Sequence, residues 1–162
     1  MTRNLNGTEL KRLHREWRRR TTGRLALILD GVQGPFNVGA IIRTAAAERI
    51  DHVWYAGGAT TPDNSKVGKT ALGTDRYLTG DETETTAEAI DAAKAAGYQV
   101  VGVELAEGAS ALHELELGTD VCLVSGHEDR GVGKDALAAC DALATVERPP
   151  GRLRVAVDPL RV

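Results

Sequence analysis

The sequence predicts an α/β fold in which helices flank a mainly parallel sheet. Short apolar runs alternate with helical segments along the chain, which is typical of βαβ units. Two of these runs, 98–105 and 120–126, are rich in valine and bounded by glycine, as expected for buried parallel strands. The 162 residues, of which 42% are hydrophobic and 27% charged, suit one folded domain and exclude a disordered or collagen-like chain.

Taken in order, the apolar and helical patterns predict six strands and four helices. The predicted strands are 25–31, 52–58, 76–80, 98–105, 120–126 and 142–147. The predicted helices are 9–20 after Thr8 as N-cap, 37–49 with Asn37 as N-cap, 85–97 ended by Gly97, and 133–140. Residues 60–69 are rich in turn formers and are predicted to be a loop.

Positive charge is concentrated at the N-terminus. Residues 1–24 contain eight basic and two acidic side chains, although the whole chain has a net charge of −3. The first predicted helix places Leu10, Leu13 and Trp17 on one face, and we expect that face to pack against the protein. Basic residues occupy the opposite face.

This charge distribution indicates an anionic polymer as partner, because neutralising phosphates is the sequence-independent part of nucleic-acid affinity. We therefore expect residues 1–23 to be a nucleic-acid-binding extension, followed by one domain at 24–162. The candidate contacts are Arg15, Arg18 and Arg19. An acidic membrane surface, or a solvated helix face with no partner, fits the same pattern.

Several common functions have no support in the sequence. Neither a GxxxxGK[ST] phosphate loop nor a GxGxxG dinucleotide motif occurs, and no cluster has metal-ligand spacing, so no metal is expected. Cys122 and Cys140 lack CxxC spacing and are interpreted as packing residues. No apolar run approaches the roughly 20 residues that cross a bilayer, which favours a cytoplasmic protein without a membrane partner.

Loops at the carboxyl ends of the predicted strands are the candidate binding sites, because ligands of parallel α/β sheets bind there. The segment GVQGPFNVGAIIR follows the first strand and GHEDRGVG follows Ser125. Asn37 and Arg43 are about 240° apart on an ideal helix, so they converge only if Asn37 lies in the loop. Alternatively, Asn37 is only a cap and Arg43 a surface residue.

Together these two segments resemble the SpoU-type, or TrmH-like, RNA 2'-O-ribose methyltransferases of the SPOUT superfamily. The family motif N-x-G-A-x-x-R-T-A is matched throughout residues 37–45. A second motif, a strand followed by G-x-E-x-x-G-(L/V), is matched by LVSGHEDRGV, including Gly126, Glu128 and Gly131. The resemblance extends over about residues 24–146, and the two motifs occur in the expected order.

The resemblance implies an α/β fold with a C-terminal trefoil knot, a homodimer, and S-adenosylmethionine as methyl donor to a ribose 2'-hydroxyl of tRNA or rRNA. It places the cofactor against strand-end backbone at Val103, Glu104, Gly126 and Val146. It assigns catalysis to Asn37, Arg43 and Glu128. Because a guanidinium pKa lies above about 12, we expect Arg43 to orient the ribose and phosphate of the RNA, helped by a pair with Glu128, rather than to accept a proton.

The C-terminus departs from the family pattern. The family's third motif contains Ser-Leu-Asn before a long helix, whereas this chain reads VERPPGRLRVAVDPLRV. Prolines at 149, 150 and 159 oppose a helix. A shifted reading frame or a natural truncation would explain this departure from the family pattern. The sequence therefore leaves a second function open, an RNA-binding relative with weak or no methyltransferase activity. A flavodoxin-like nucleotide binder without a knot is a third.

Overall fold

The computed structural model describes residues 3–20 and 22–146. Within them, seven strands form one parallel sheet with the order β3-β2-β1-β6-β4-β7-β5. The strands are β1 (Leu25–Asp30), β2 (His52–Ala56), β3 (Gly80–Thr83), β4 (Gln99–Val103), β5 (Ser110–Ala111), β6 (Val121–Gly126) and β7 (Ala142–Thr145). This confirms the predicted α/β class with its parallel sheet. A trefoil knot would involve residues after Val146, which lie outside the described part of the chain.

Five α-helices accompany the sheet in the described residues. They are α1 (Gly7–Arg20), α2 (Pro35–Glu48), α3 (Ser65–Ala71), α4 (Thr86–Ala95) and α5 (Lys134–Ala139). Short 3-10 turns follow at Asp75–Tyr77 and Leu112–Glu114.

Three predicted elements differ from the structure. Residues 60–69, expected to be a loop, contain the start of α3, which Asn64 caps by accepting a hydrogen bond from the Lys66 N–H. The third strand begins at Gly80 rather than occupying 76–80, and the short strand β5 was not predicted. Helix α2 begins at Pro35, because proline at the first helical position needs no N–H partner.

The helices cover both faces of the sheet. Neighbouring residues of β1 show this, since successive side chains of a strand point to opposite faces. Ile28 packs in the cluster that includes α4 and α5 residues, whereas Leu29 packs with those of α2 and α3. Both side chains are fully buried. Burial of one such side chain contributes about 1.5 to 3 kcal/mol.

The strand order creates a crevice at the carboxyl edge of the sheet. From β1 the chain proceeds outward through β2 to β3, and then crosses to β4 on the other side of β1. Such a reversal separates the loops on either side and is where parallel sheets bind ligands. Strands β1, β6, β4 and β7 are consecutive neighbours there.

Helix α1 confirms the predicted N-terminal helix but neither its cap nor its packing. Asn6 Oδ1, rather than Thr8, accepts the first N–H groups, those of Thr8 and Glu9, each at 3.0 Å. Leu13, expected on a buried stripe, is 49% exposed. The side chains of Leu10, Trp17 and Arg18 are outside what the structure describes. Across the described residues, no helix is both long and apolar enough to span a membrane.

The two cysteines are free thiols in the hydrophobic interior. Cys122 is fully buried, and burial raises its pKa to about 12. Cys140 is partly buried and its Sγ donates to the Ala136 carbonyl oxygen at 3.1 Å. Both belong to or contact the same core cluster, which supports their interpretation as packing residues.

Candidate active site

The loop from His127 to Gly133 follows β6 and is closed on itself. The N–H of His127 donates to the Gly131 carbonyl at 3.1 Å, and the N–H of Gly131 donates back at 2.8 Å. Gly131 has a φ of +67°, which a residue with a side chain rarely adopts. This tight turn presents Glu128 toward α2.

The Glu128 carboxylate is bound at the N-terminus of α2. Its Oε1 accepts hydrogen bonds of 2.9 Å from the Gly34 N–H and of 2.9 Å from Asn37 Nδ2. Its Oε2 accepts from the Gln33 N–H at 3.3 Å. The N-terminal end of a helix carries a partial positive charge, so the anion also complements the helix dipole.

These contacts control the charge of Glu128. Burial raises the pKa of its carboxyl, but the hydrogen bonds from Asn37, from its own backbone N–H, and from Gly34 and Gln33 together lower it to about 2. Glu128 is therefore an anion at neutral pH and a very weak base. A Cβ on Gly34 would lie 2.5 Å from Oε1, so glycine is required for this approach.

Two further carboxylates hold the same loop from other strands. Glu104, directly after β4, accepts a hydrogen bond from the Val132 N–H at 2.9 Å. Asp30, at the end of β1, accepts from the Gly133 N–H at 2.8 Å and from Thr86 Oγ1 at 2.5 Å. The loop is thus tied to three strand ends, which fixes the position of Glu128.

Close backbone approach also shapes this edge of the sheet. A Cβ on Gly126 would overlap the backbone of Gly131 and Val132, and a Cβ on Gly131 would overlap the Glu104 carboxylate. Backbone cannot yield as a flexible side chain can. Glycine at both positions therefore allows the loop to fold against the strand ends.

The four predicted cofactor positions come together. Gly126 ends β6, Val103 ends β4 with Glu104 directly after it, and Val146 follows β7. These three strands are neighbours in the sheet. Val146 is 67% exposed, and Leu105, which the sequence analysis did not single out, is 89% exposed. Two exposed apolar side chains therefore follow strands β4 and β7, which are neighbours in the sheet.

Arg43 does not join this cluster in the described residues. Asn37 lies inside α2 instead of capping it, so the six-residue separation places Arg43 about 9 Å further along the axis and on another side of the helix. The expected pair between Arg43 and Glu128 is absent from the described contacts, and Asn37 binds Glu128 directly. The expectation of that pair was wrong because the helix begins earlier.

Arg43 instead lies one turn after Gly39, on the side of α2 that packs on α3. A Cβ on Gly39 would lie 2.6 Å from the Val67 carbonyl oxygen and 2.8 Å from Thr70 Cβ. Arg43 itself is exposed. The candidate contacts Arg15 and Arg19 are also exposed, on α1.

Sequence reasoning missed the side-chain roles of Asp30 and Glu104. Glu104 was expected to contribute backbone only. The available signal was position, since both carboxylates end predicted strands on the side where ligands bind. Among the described residues, no group of three or more His, Cys, Asp or Glu side chains could hold a metal ion.

Comparison with known proteins gives similar sequences and structures. The chain is 32% identical to the 23S rRNA (guanosine-2'-O-)-methyltransferase RlmB of Xylella fastidiosa over 125 residues, 77% of this chain and 50% of that protein. An AdoMet-bound rRNA methyltransferase from Sinorhizobium meliloti superposes with a TM-score of 0.72 at 27% identity, over 83% of this chain and 52% of that one. A structure concerned with 2-OH methylation of C/U34 on tRNA matches with a TM-score of 0.66 at 25% identity, over 82% of this chain and 84% of that one.

The chain spans about half the length of the curated relatives that it matches. The model of the SpoU rRNA Methylase family matches residues 24–151, and the chain belongs to this family.

Proposed function

We propose that the protein transfers a methyl group from S-adenosylmethionine to a ribose 2'-hydroxyl of tRNA or rRNA. The observation that carries this proposal is the direct contact between its two motifs. Asn37 of the first motif donates to Glu128 of the second across 91 residues of sequence. This hydrogen bond joins the two segments that the family motifs define into one site at the carboxyl edge of the sheet.

The residues at this edge fit the cofactor. Its adenine ring can lie against the exposed side chains of Leu105 and Val146, and its polar groups can meet strand-end backbone at Val103, Glu104 and Gly126. When bound, S-adenosylmethionine supplies an electrophilic methyl group on its sulfonium. The carboxylate of Glu104 is engaged with the Val132 N–H, so its contribution to the pocket is chiefly to hold the wall in place.

The polar residues of the motifs position the reactants. Glu128 is unsuited to accept the hydroxyl proton, because its pKa of about 2 makes it a weak base and its oxygens already accept hydrogen bonds. Its role is to fix Asn37 and the loop. Asn37 Oδ1 remains available to accept from the ribose, while Arg43 binds ribose or phosphate oxygens. Orientation of two bound reactants is worth roughly 7 to 11 kcal/mol of barrier.

We expect a homodimer to be the active form. Arg43 and Asn37 lie on different sides of α2, so one chain does not direct both toward one ribose. In a dimer, Arg43 of one protomer can approach the strand-end site of its partner. Sedimentation of the full chain tests this expectation. We also expect the protein to act in the cytoplasm.

Both tRNA and rRNA are supported as substrate classes. The Xylella fastidiosa relative is named for 23S rRNA. The structure concerned with C/U34 methylation is named for tRNA, and the match covers 84% of that chain. The second function, an RNA-binding relative without activity, makes the same RNA contacts but predicts no methyl transfer.

Mass spectrometry of ribose methylation tests the proposal. Purified protein is incubated with S-adenosylmethionine and with total tRNA or rRNA from cells that lack the gene, and 2'-O-methylated nucleosides are quantified. Methylation of a defined nucleotide in one of these RNAs is expected. Cofactor and RNA binding without methylation would establish the inactive relative. Failure to bind S-adenosylmethionine by calorimetry would overturn the proposal.

A further inference from the structure

The segment from α3 to the following 3-10 turn exposes an aromatic and an aliphatic side chain. Tyr77 is 71% exposed and Leu72 is 63% exposed. The guanidinium carbon of Arg76 lies 5.0 Å from the centroid of the Tyr77 ring, within the range of a cation–π contact. We call these residues, together with Lys66 and Lys69 of the preceding helix α3, the Tyr77 patch. Its chemistry combines an open ring with positive charge.

Within the described residues the cations of the Tyr77 patch form no salt bridge, and Arg76 lies over the Tyr77 ring. Lys66, Lys69 and Arg76 are all exposed. The single carboxylate of the segment, Asp75, lines an adjacent pocket of about 230 Å³ beside Tyr55. Neither Arg76 nor Tyr77 lines that pocket. Asp63, Asp81 and Glu82 also line that pocket, so the excess of positive charge is confined to residues 65–77, which carry three cations and one carboxylate.

The Tyr77 patch adjoins the helix that carries the first motif. Gly39 of α2 packs closely against Val67 and Thr70 of α3, and Arg43 follows Gly39 by one turn on the same side. The 3-10 turn with Arg76 and Tyr77 also contacts α2. Arg43 and the Tyr77 patch are therefore on elements that pack directly against each other.

The backbone keeps Leu72 at the surface. Leu72 ends α3 with a φ of 53° and a ψ of 35°, in the left-handed region, and Gly73 follows with a φ of +76°. The N–H of Leu72 donates to the Gly68 carbonyl at 3.0 Å, and this bond closes the helix. The turn directs the chain from α3 into the Tyr77 segment and leaves both apolar side chains accessible.

We propose that the Tyr77 patch binds an unpaired nucleotide of the RNA substrate, with the base stacked on Tyr77 and the flanking phosphates bound by Arg76 and Lys69. This inference rests on the proposed function, because it assigns a second contact to the same RNA. Every base has a π-face, so an exposed aromatic ring beside cations is a stacking platform for single-stranded nucleic acid. Unpaired loop nucleotides can offer such a face, whereas bases inside a helix cannot.

A second copy of the chain is a less suitable occupant. In a symmetric contact, the three cations of one patch would meet the same three cations of its mate, with one carboxylate per copy to offset them. Unpaired like charges oppose such an interface. Phosphate groups complement the same charges, which favours RNA.

Binding and crosslinking of a single-stranded probe test the proposal. The probe is a fluorescein-labelled 12-nucleotide oligouridylate with one central 5-iodouridine, whose base crosslinks under ultraviolet light to stacked aromatic residues. Tyr77→Ala of the full chain is expected to weaken binding by roughly 5- to 100-fold, the effect of losing one stacked base. Tyr77→Phe keeps the ring and should bind within about twofold of the parent. The crosslink should map to Tyr77.

Leu117→Ala is the matched control, because Leu117 is 43% exposed and lies in the connection from β5 to β6. It should leave binding unchanged. Parent-like binding by Tyr77→Ala, or crosslinks only to other residues, overturns the proposal. The proposal is also overturned if Tyr77→Ala changes the sedimentation of the protein in the absence of RNA, because the patch would then be a contact between protein chains.

Methyl transfer by the parent separates the two proposals. If the parent methylates RNA and Tyr77→Ala binds and methylates RNA normally, the assignment of the Tyr77 patch to RNA binding is wrong and the proposed function stands. If the parent neither binds nor methylates RNA, both fail. Circular dichroism of each variant checks folding, which an exposed side chain should not alter.

Discussion

Asn37 Nδ2 donates a 2.9 Å hydrogen bond to Oε1 of Glu128, and this contact joins helix α2 to the loop after β6. The same carboxylate accepts the N–H groups of Gln33 and Gly34. One anion therefore organises the start of α2 and the end of β6 at the same time. These contacts give Glu128 a structural role, while its low pKa excludes it as a base.

Glu128→Gln is expected to lower the free energy of unfolding by about 1 to 3 kcal/mol. Glutamine offers one acceptor oxygen, and its NH2 group would face a donor from Gly34, Gln33 or Asn37. At least one donor would then lose its partner. Denaturant titration at pH 7 measures the change. Glu107→Gln is the matched control, since Glu107 is exposed. Equal effects of the two substitutions would contradict a stabilising role for the hydrogen bonds that Glu128 accepts.

The same variant has a defined pH dependence. The ordinary pKa of a glutamate is 4.5 and that of Glu128 in the folded protein is about 2, so the unfolded state takes up its proton first as pH falls. The stabilisation from this carboxylate is complete above its unfolded pKa and is lost as pH falls through 4.5 toward about 2. The stability difference between the parent and Glu128→Gln should therefore be constant above about pH 5.5 and narrow below pH 4.5.

Denaturant titrations of both proteins from pH 7 to pH 2.5 measure that difference. The comparison cancels the contributions of other acidic groups. Among these, the hydrogen bond from Arg24 lowers the pKa of Asp120. Burial raises the pKa of Asp141, but the hydrogen bond from Lys94 and other contacts lower it overall. A difference that widens as the solution becomes acidic would mean that Glu128 is stabilised as the protonated acid.

Gly126→Ala is expected to destabilise the protein by about 1 to 3 kcal/mol and to weaken binding of S-adenosylmethionine. The added Cβ would overlap the backbone of Gly131 and Val132, so the loop must shift away from the strand end. Gly68→Ala in α3 is the control, because a Cβ there meets nothing within 4 Å. It should stabilise by up to about 1 kcal/mol. Thermal unfolding and calorimetry distinguish these results, and unchanged cofactor affinity in Gly126→Ala would remove Gly126 from the site.

The alternation of strands and helices was predictable because buried strands have a strong sequence pattern. Strand β6 is an apolar run, and β4 resembles it. Strand β3 is different, since GDET at its four positions is polar and mostly exposed, so no alternation marks it. Its position is set by pairing with β2, which no local pattern reports.

Helix α3 was missed for a related reason. Its seven residues include glycine, serine and threonine, which are weak helix formers. The helix is stabilised by tertiary packing, as Val67 and Ala71 are buried against α2 at Gly39. Such packing depends on residues far away in the sequence and is not visible in a local window.

The candidate site was predicted in outline but not in its contacts. Both motifs were expected at the carboxyl edge, and the structure places Asn37 and Glu128 there. The partner of Glu128 was assigned wrongly to Arg43 because α2 was thought to begin at Asn37. Pro35 was the overlooked signal, since proline is favoured at the first helical position. The positions of Asp30 and Glu104 at predicted strand ends marked them as candidates, but their backbone N–H partners depend on the tertiary fold and are not visible in the sequence.

Arg43→Ala is expected to reduce methyl transfer on the order of 100-fold or more at saturating RNA and cofactor, the effect of losing one charged contact to the transition state. Arg43 is exposed, so thermal unfolding should be unchanged. Arg43→Lys should recover part of the activity if charge alone matters, and little if the planar guanidinium binds two oxygens. Activity of Arg43→Ala within a few-fold of the parent would show that the motif match does not identify a functional arginine.

The basic face of α1 is expected to supply RNA affinity without taking part in chemistry. Changing Arg15, Arg18 and Arg19 together to glutamate should weaken RNA binding and reduce the slope of log K against log salt by about 2 to 3, one for each lost phosphate contact. Replacement of the same residues by glutamine should give an intermediate affinity, because it removes the attraction without adding repulsion. Cofactor binding should be unaltered, since the cofactor positions lie on the sheet edge. Unchanged RNA affinity together with lost binding to phosphatidylserine vesicles would assign this face to a membrane surface instead.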